Sequence, residues 1–195
     1  MKNTTGFWPV APDLRRSDIA FHFRGHDYLG HMVAPAETEG PKPMVMVTHN
    51  YQGLKFFDVD VAEYIARLGY VGFAIDLYGD RLPANERLWP EDETHIPAFQ
   101  QKCFEAMVAL DHDHELFRAL LKAWLDQGMN HNFVDASISP AAIGYCFGGV
   151  AVLEAVRGGL DLGGVVSLHG LLQTGEDPNP ARFNAERPPL KSCEN

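Results

Sequence analysis

The residues best suited to chemistry lie in the stretch AAIGYCFGGV, residues 141–150, where a cysteine follows a short apolar run. Gly144 stands two places before Cys146, and Gly148 and Gly149 follow two and three places after it. A strand that turns sharply into a helix, and holds one side chain at the turn, needs this room beside its backbone. The spacing predicts a strand, a tight turn with the cysteine at its apex, and then a helix.

The predicted turn would suit Cys146 to be a nucleophile. It places the thiol at a helix N-terminus, where the helix dipole and free amide groups stabilise a thiolate. The string G-x-C-x-G is weak evidence by itself, but here it follows an apolar strand, opens a helix and comes after two earlier βα units. One alternative is a glycine-rich turn around an inert core cysteine, and another is a redox-sensitive thiol.

The elements that must position this turn alternate between strand and helix from residue 44 to residue 170. Apolar runs typical of buried strands cover residues 44–50 and 70–79, two further strand patterns cover residues 141–145 and 164–170, and helical patterns lie between them. Two earlier strand patterns, residues 19–23 and 28–34, flank a turn and predict a hairpin. The alternation predicts an α/β fold, with a mainly parallel sheet flanked by helices.

The first helical pattern covers residues 58–69 and ends at Gly69, a residue typical of helix C-termini. It places Val61, Ile65 and Leu68 on one apolar stripe. Before the next helix, residues 80–97 contain three prolines and many polar groups. A loop of this length is typical of a lid or a binding segment.

One long amphipathic helix is predicted from Phe99 to Gly128, because its apolar residues keep spacings of three and four, with His114 in the one polar position. These apolar residues are Phe99, Cys103, Met107, Leu110, Phe117, Leu121 and Trp124. For Cys103 a small buried hydrophobic side chain is expected.

The string DHDHE at residues 111–115 contains two histidines, His112 and His114, among three acids. On a helix, residues two apart do not share a face, whereas metal chelation favours spacings of three or four. The cluster is therefore interpreted as a solvated face. We expect no metal site and no cofactor.

Composition narrows the class of protein further. At 195 residues the chain suits one domain. Its 16 Lys and Arg and 26 Asp and Glu leave a formal net charge of −10, which disfavours binding to nucleic acid or to an anionic membrane. No apolar run is long enough for a signal peptide or a membrane span, and the three cysteines form no CxxC pair. These features predict a cytoplasmic protein without a disulfide framework.

Four stretches carry a resemblance to a known family: VMVTHNYQGL, LGYVGFAIDLYG, AAIGYCFGGVAVLEA and GVVSLHG. In order and spacing they resemble the dienelactone hydrolase family, a branch of the α/β-hydrolase fold with a Cys-His-Asp triad. The resemblance covers residues 19–172. It implies an enzyme that hydrolyses small esters or lactones, with a small molecule as its partner.

The resemblance also assigns roles to residues. Cys146 matches the nucleophile, and the backbone amides of Phe147 and Tyr51 match the two donors of the oxyanion hole. Asn50 departs from the pattern, since many relatives carry a glutamate near the nucleophile there. Two interpretations stay open for Asn50: a side chain that faces the substrate, or one that only hydrogen-bonds its own loop.

Other polar residues lie near the predicted site. Asp76 and Arg81 follow a strand at the end where ligands approach such sheets, so contact with substrate is one interpretation. A turn-capping Asp76 and a solvated Arg81 are the favoured alternatives. Packing at a strand end is favoured for His49 over lining the site, and His169 matches a histidine of relatives that is not the triad base.

In this fold the triad acid and histidine follow the two strands after GVVSLHG, and the sequence beyond residue 172 provides neither strand. We therefore expect residues 1–172 to form an α/β-hydrolase-like domain that lacks its last two strands, and residues 173–195 to be an irregular or disordered tail. Weak or absent turnover is expected. A catalytically inactive binding or regulatory protein is the alternative.

The strand GVVSL would then form an exposed edge of the sheet. Exposed edges carry unpaired amides and carbonyls that recruit other chains. The sequence thus predicts self-association through this strand.

Overall fold

A computed structural model describes residues 11–82 and 93–170. Its strands are β1 (Leu14–Phe23), β2 (His26–Pro35), β3 (Met44–Thr48), β4 (Val71–Ile75), β5 (Ala141–Tyr145) and β6 (Gly164–Leu168). Its helices are α1 (Phe56–Arg67), α2 (Ile96–Asp111), α3 (His114–Met129) and α4 (Phe147–Arg157). The predicted tail at residues 173–195 and most of the predicted loop at residues 80–97 lie outside the described residues.

The six strands form one sheet in the order β1-β2-β4-β3-β5-β6. β1 and β2 form the predicted antiparallel hairpin, and β2 also runs antiparallel to β4. The pairs β3–β4, β3–β5 and β5–β6 are all parallel. The predicted α/β fold with a mainly parallel sheet is therefore confirmed.

Helices cover both faces of the sheet. Successive residues of β3 show this arrangement, because Met46 belongs to the apolar cluster on one face and Val47 to the cluster on the other. α1 packs on the Val47 face, while α2, α3 and α4 pack on the Met46 face around Trp124. Since β3, β4 and β5 are parallel, their carboxyl ends meet at one edge of the sheet. The turns after these three strands are therefore brought together.

The buried face of α1 differs from the predicted stripe. Ile65 is buried, but Val61 is half-buried and Leu68, the residue at which the helix is capped, is 58% exposed. The buried apolar residues of α1 are Val59, Ala62, Ile65 and Ala66. A Cβ added at Gly72 of β4 would lie 2.2 Å from the carbonyl oxygen of Ala62. The helix approaches the sheet so closely that small side chains are selected there, and hydrophobicity alone does not identify them.

The prediction of one long helix was wrong, because the chain turns at His112 and Asp113 and forms α2 and α3. The carboxylate of Asp113 accepts a hydrogen bond from the amide of Leu116 at 2.9 Å and caps the N-terminus of α3. All seven predicted apolar positions are nevertheless buried. The DHDHE string is the junction between two helices. Most of it is exposed or half-buried, but Asp111 is buried.

In the described ranges β6 pairs with β5 alone and ends the sheet order. Its alternate residues Val166 and Leu168 are 51% and 39% exposed. Self-association through this strand stays a prediction. Across the described residues, no helix combines the length and the apolar character required to cross a membrane.

Asp58 is an acid buried within α1. It is 3% exposed, and its carboxylate accepts a hydrogen bond from the amide of Lys55, just before the helix begins. Burial raises the pKa of Asp58 from its usual 3.8 to about 7, although the hydrogen bond and the charge of Lys55 oppose the rise. The carboxyl is therefore protonated in the folded protein over much of the mildly acidic range.

Replacing Asp113 by Ala should destabilise the protein by about 0.5–2 kcal/mol, because the Leu116 amide loses its capping acceptor. Asp113→Asn keeps an acceptor oxygen and serves as the matched control. Urea unfolding of the three proteins measures the free energy of unfolding. Equal losses in the Ala and Asn variants would contradict a capping role.

Asp58→Asn should change how stability depends on pH. The folded state holds a proton that the unfolded chain has lost between about pH 4 and about pH 7, so the contribution of Asp58 to stability falls as pH rises through this window. The slope is at most about 1.4 kcal/mol per pH unit. Asn keeps the acceptor for the Lys55 amide and does not titrate. The difference in unfolding free energy, variant minus parent, should therefore grow with pH across the window, and parallel profiles would refute the prediction.

Candidate active site

The predicted strand, turn and helix around Cys146 are present. β5 ends at Tyr145, α4 begins at Phe147, and Cys146 between them has φ 54° and ψ −111°. Residues other than glycine rarely adopt this backbone conformation, because it is sterically strained. Strain of this kind persists only where the surrounding structure imposes it. The side chain of Cys146 is half-buried, and the thiol is not in a disulfide.

Close packing explains the glycines around this turn. A Cβ at Gly144 would lie 2.0 Å from the carbonyl oxygen of Gly148, and a Cβ at Gly148 would lie 2.2 Å from that of Thr48. A Cβ at Gly149 would lie 2.7 Å from the hydroxyl oxygen of Ser167 on β6. The first turn of α4 therefore sits directly against the ends of β3 and β6.

Thr48, the last residue of β3, is a site residue that no sequence motif identified. Its hydroxyl donates to the carbonyl oxygen of Gly148 at 2.8 Å and lies 3.2 Å from that of Ile143. The Cys146 amide donates to the carbonyl oxygen of Leu168 at 3.0 Å. These bonds attach the turn to the neighbouring strands on both sides. A threonine at the end of a buried strand is too common to reveal this role from sequence.

The turn after β3 carries Asn50 and Tyr51. The side-chain oxygen of Asn50 accepts a hydrogen bond from the Gln52 amide at 2.8 Å, and its carbonyl oxygen accepts one from the Gly53 amide at 3.2 Å. The side-chain oxygen of Asn50 thus bonds its own loop, as one of the two interpretations expected. Because β3 and β5 are adjacent and parallel, this turn and the Cys146 turn lie at the same edge of the sheet.

The backbone amide of Phe147 lies in the first turn of α4. Amides in a first helical turn have no acceptor within their own helix, and they point toward the N-terminal end where Cys146 lies. The side chain of Phe147 is buried and stacks on Phe117, with ring centroids 5.3 Å apart. Packing of the ring therefore fixes the residue that presents the amide.

His49 is fully buried at the end of β3. Its Nε2 accepts a hydrogen bond from the Leu77 amide at 2.9 Å, so the ring is neutral and Nδ1 donates to the carbonyl oxygen of Asn50 at 2.6 Å. The Asp76 carboxylate lies 4.0 Å from Nε2, beyond hydrogen-bonding distance. Both nitrogens of His49 thus join the turn after β3 to the turn after β4, which matches the packing interpretation.

Asp76 is buried, and its two carboxylate oxygens accept hydrogen bonds from the amides of Tyr78 and Gly79, each at 3.0 Å. This geometry is that of a turn-capping acid. Arg81 is half-buried, and its guanidinium donates to the Tyr28 hydroxyl at 3.2 Å. It borders a cavity of about 300 Å³ beside α2, which is lined by Arg81, Lys102, Glu105, Ala106 and Ala109.

His169 is exposed at the end of β6, with φ 44°. Within residues 11–82 and 93–170, no histidine or acidic side chain lies within hydrogen-bonding distance of the Cys146 sulfur. Asp177, the aspartate that follows β6 in the sequence, lies outside the described residues. The described part of the chain also holds no cluster of three or more side chains able to bind a metal ion.

Comparison with known proteins identifies relatives of this chain. The sequence matches the dienelactone hydrolase family over residues 29–189. It is 30% identical to the carboxymethylenebutenolidase of Pseudomonas sp. (strain P51) over 135 residues, which are 69% of this chain and 52% of that enzyme. The chain therefore spans about half the length of this curated relative.

Two solved structures are similar to this fold, each with a TM-score of 0.68. One, m3DLH, is 31% identical, and the similarity covers 85% of this chain and 63% of that one. The other, P91, is a dienelactone hydrolase-like promiscuous phosphotriesterase from metagenomic libraries. It is 26% identical, with 88% of this chain and 65% of that one covered.

The match over residues 29–189 includes both the turn after β3 and the Cys146 turn. The names of the family and of the curated relative are those of hydrolases. The fold, the strained turn between β5 and α4, and these comparisons agree with the resemblance found in the sequence. The chain belongs to the dienelactone hydrolase family.

Proposed function

We propose that this protein is a hydrolase of small carboxylic esters or lactones, with Cys146 as its nucleophile. The observation that carries the proposal is the backbone of Cys146. This residue lies between a strand and a helix N-terminus, and its φ is 54° and its ψ is −111°. A helix N-terminus favours the anionic thiolate, which is the nucleophilic form of cysteine. The strain is maintained by the packing of Gly144 and Gly148, as is typical of a nucleophile at the end of a strand.

The backbone amides of Phe147 and Tyr51 are the proposed oxyanion hole. Phe147 follows the nucleophile, and Tyr51 lies in the turn after the adjacent strand β3. Two amide donors held at this edge would stabilise the negative charge that develops on a carbonyl oxygen under attack. Both donors belong to the backbone, so their positions depend on the turns and not on side-chain identity.

The proposed chemistry has two stages. In the first, the Cys146 sulfur bonds to the carbonyl carbon and the π electron pair moves onto the oxygen. Collapse of this tetrahedral species breaks the carbon–oxygen bond to the alcohol, which leaves as the alkoxide and takes a proton from water. In the second, water attacks the thioester, and the acid, the free thiolate and a proton are released. With a lactone, acid and alcohol remain in one molecule.

The two stages should differ in rate. Acylation needs only the thiolate and the oxyanion hole, whereas deacylation needs a base to activate water. Among the described residues no histidine side chain lies within hydrogen-bonding distance of the Cys146 sulfur, and the Asn50 amide cannot exchange a proton as a carboxylate would. Acylation is therefore proposed to be faster than deacylation in this chain, with turnover weak or absent. If neither stage proceeds, the protein would only bind a lactone or ester, which is the alternative function.

The name of the relative from Pseudomonas denotes activity on a butenolide, an unsaturated lactone. We extend that substrate class to this chain as part of the proposal. Cys146 is partly exposed, as attack on a small carbonyl compound would require. An activated ester, p-nitrophenyl acetate, undergoes the same acyl transfer and releases a coloured leaving group.

With p-nitrophenyl acetate, the protein should release a burst of p-nitrophenolate of up to about one equivalent per chain, followed by a much slower phase. Cys146→Ala should abolish the burst. Cys146→Ser should also lose most of it, because a serine hydroxyl needs a base to become nucleophilic. Stopped-flow absorbance measures the burst, and mass spectrometry of the digested protein should place the acetyl group on the peptide that contains Cys146.

Cys103→Ala is the matched control, since Cys103 is the buried cysteine of α2. It should retain the burst. If the parent and Cys146→Ala release p-nitrophenolate equally fast, Cys146 is not the nucleophile and the proposed mechanism is wrong.

A further inference from the structure

Tyr78 is a fully buried side chain that contacts both residues of the proposed oxyanion hole. Its hydroxyl donates to the carbonyl oxygen of Tyr51 at 2.8 Å. Its ring lies beside that of Phe147, with centroids 6.2 Å apart and an interplanar angle of 31°. One side chain thus spans the gap between the turn after β3 and the first turn of α4.

The hydrogen bonds of this region fix two consecutive peptide planes. The carbonyl of Asn50 and the amide of Tyr51 belong to one plane, and His49 Nδ1 donates to that carbonyl at 2.6 Å. The carbonyl of Tyr51 and the amide of Gln52 belong to the next plane. The Tyr78 hydroxyl holds that carbonyl and the Asn50 side chain holds that amide.

In a trans peptide the N–H and C=O groups point in opposite directions. A bond that fixes the Asn50 carbonyl therefore also fixes the direction of the Tyr51 amide. His49 acts on this plane directly, and Tyr78 acts on the neighbouring plane. The ring of His49 packs edge-on against the ring of Tyr78, with centroids 4.7 Å apart. The two side chains therefore form one packed unit.

The turn after β4 holds this unit in place. Asp76 accepts hydrogen bonds from the amides of Tyr78 and Gly79, and the Leu77 amide donates to His49 Nε2. Burial raises the pKa of Tyr78 well above its usual 10.0. Burial therefore favours the protonated phenol, which is the form that donates the hydrogen bond to Tyr51.

Gly53 lies in the turn after β3, beside the Tyr78 ring. The backbone of Gly53 has φ 84°, and a Cβ there would lie 3.4 Å from Cδ2 of Tyr78 and 2.7 Å from Cδ2 of Leu82. A residue with a Cβ would be strained at this positive φ, and the end of the Leu82 side chain would have to shift. The backbone of the turn that lies over Tyr78 therefore favours glycine at this position.

We propose that Tyr78 and His49 are positioning residues, which orient the Tyr51 amide toward an oxyanion formed at Cys146. The inference rests on the proposed function and adds to it the groups that preorganise the oxyanion hole. Neither side chain needs to touch substrate, because both act through the backbone. Oriented amides stabilise a developing charge without reorganising during the reaction, so loss of orientation should slow acyl transfer specifically.

The test compares two reactions of the same thiol. Acylation by p-nitrophenyl acetate develops an oxyanion, whereas alkylation by iodoacetamide displaces iodide from a saturated carbon and develops none. Tyr78→Phe removes one hydroxyl and retains the ring. Acylation of Cys146 should slow by about tenfold in this variant, while the alkylation rate should remain that of the parent.

A second pair of variants probes His49. His49→Asn retains a donor close to the position of Nδ1, whereas His49→Leu retains bulk without a donor. Acylation should be faster in the Asn variant than in the Leu variant, with equal alkylation rates. Val59→Ala, which removes buried methyl groups on the opposite face of the sheet, is the control for general loss of stability and should leave both rates unchanged.

The outcomes separate the two proposals. If acylation of the parent does not require Cys146, the proposed function fails. If acylation requires Cys146 but proceeds equally fast in Tyr78→Phe, the function stands and the positioning role is wrong. If acylation and alkylation slow by the same factor, Tyr78 only supports the structure, and the positioning role is again wrong.

Discussion

The close contact between the end of β3 and the first turn of α4 is the constraint on which the rest of the site depends. A Cβ at Gly148 would lie only 2.2 Å from the carbonyl oxygen of Thr48, and the Thr48 hydroxyl donates a hydrogen bond to the carbonyl of Gly148. A helix that begins this close to the neighbouring strand leaves little room for the chain leaving β5. The positive φ of Cys146 is the result.

This constraint also decides what lies near the thiol. Because α4 begins beside β3, the turn that follows β3 must face the same space, and its polar backbone groups need partners. Those partners come from His49, Asn50 and Tyr78, which lie under or within the turn. Hydrogen bonds between side chains and backbone therefore link the buried polar groups around the site. Such bonds satisfy buried polar groups and also hold them in fixed directions.

Much of the fold could be predicted from local patterns in the sequence. The apolar runs gave the central strands, because a strand buried on both faces must be apolar along its length. The helix break at Asp113 was missed, since the apolar spacing continues across it and the cap is a single short-range bond. The buried face of α1 was only partly predicted, because it depends on the closeness of Ala62 to Gly72 in another element.

The sequence by itself determined that Cys146 stands at a strained turn between a strand and a helix, because the glycines needed for that turn are neighbours in the chain. Only the tertiary structure decided which other groups meet there. Thr48, His49 and Tyr78 are distant from Cys146 along the chain, and their positions follow from the order in which β3, β4 and β5 lie side by side. Strand order depends on packing between distant segments, and a periodic pattern within one segment does not record it.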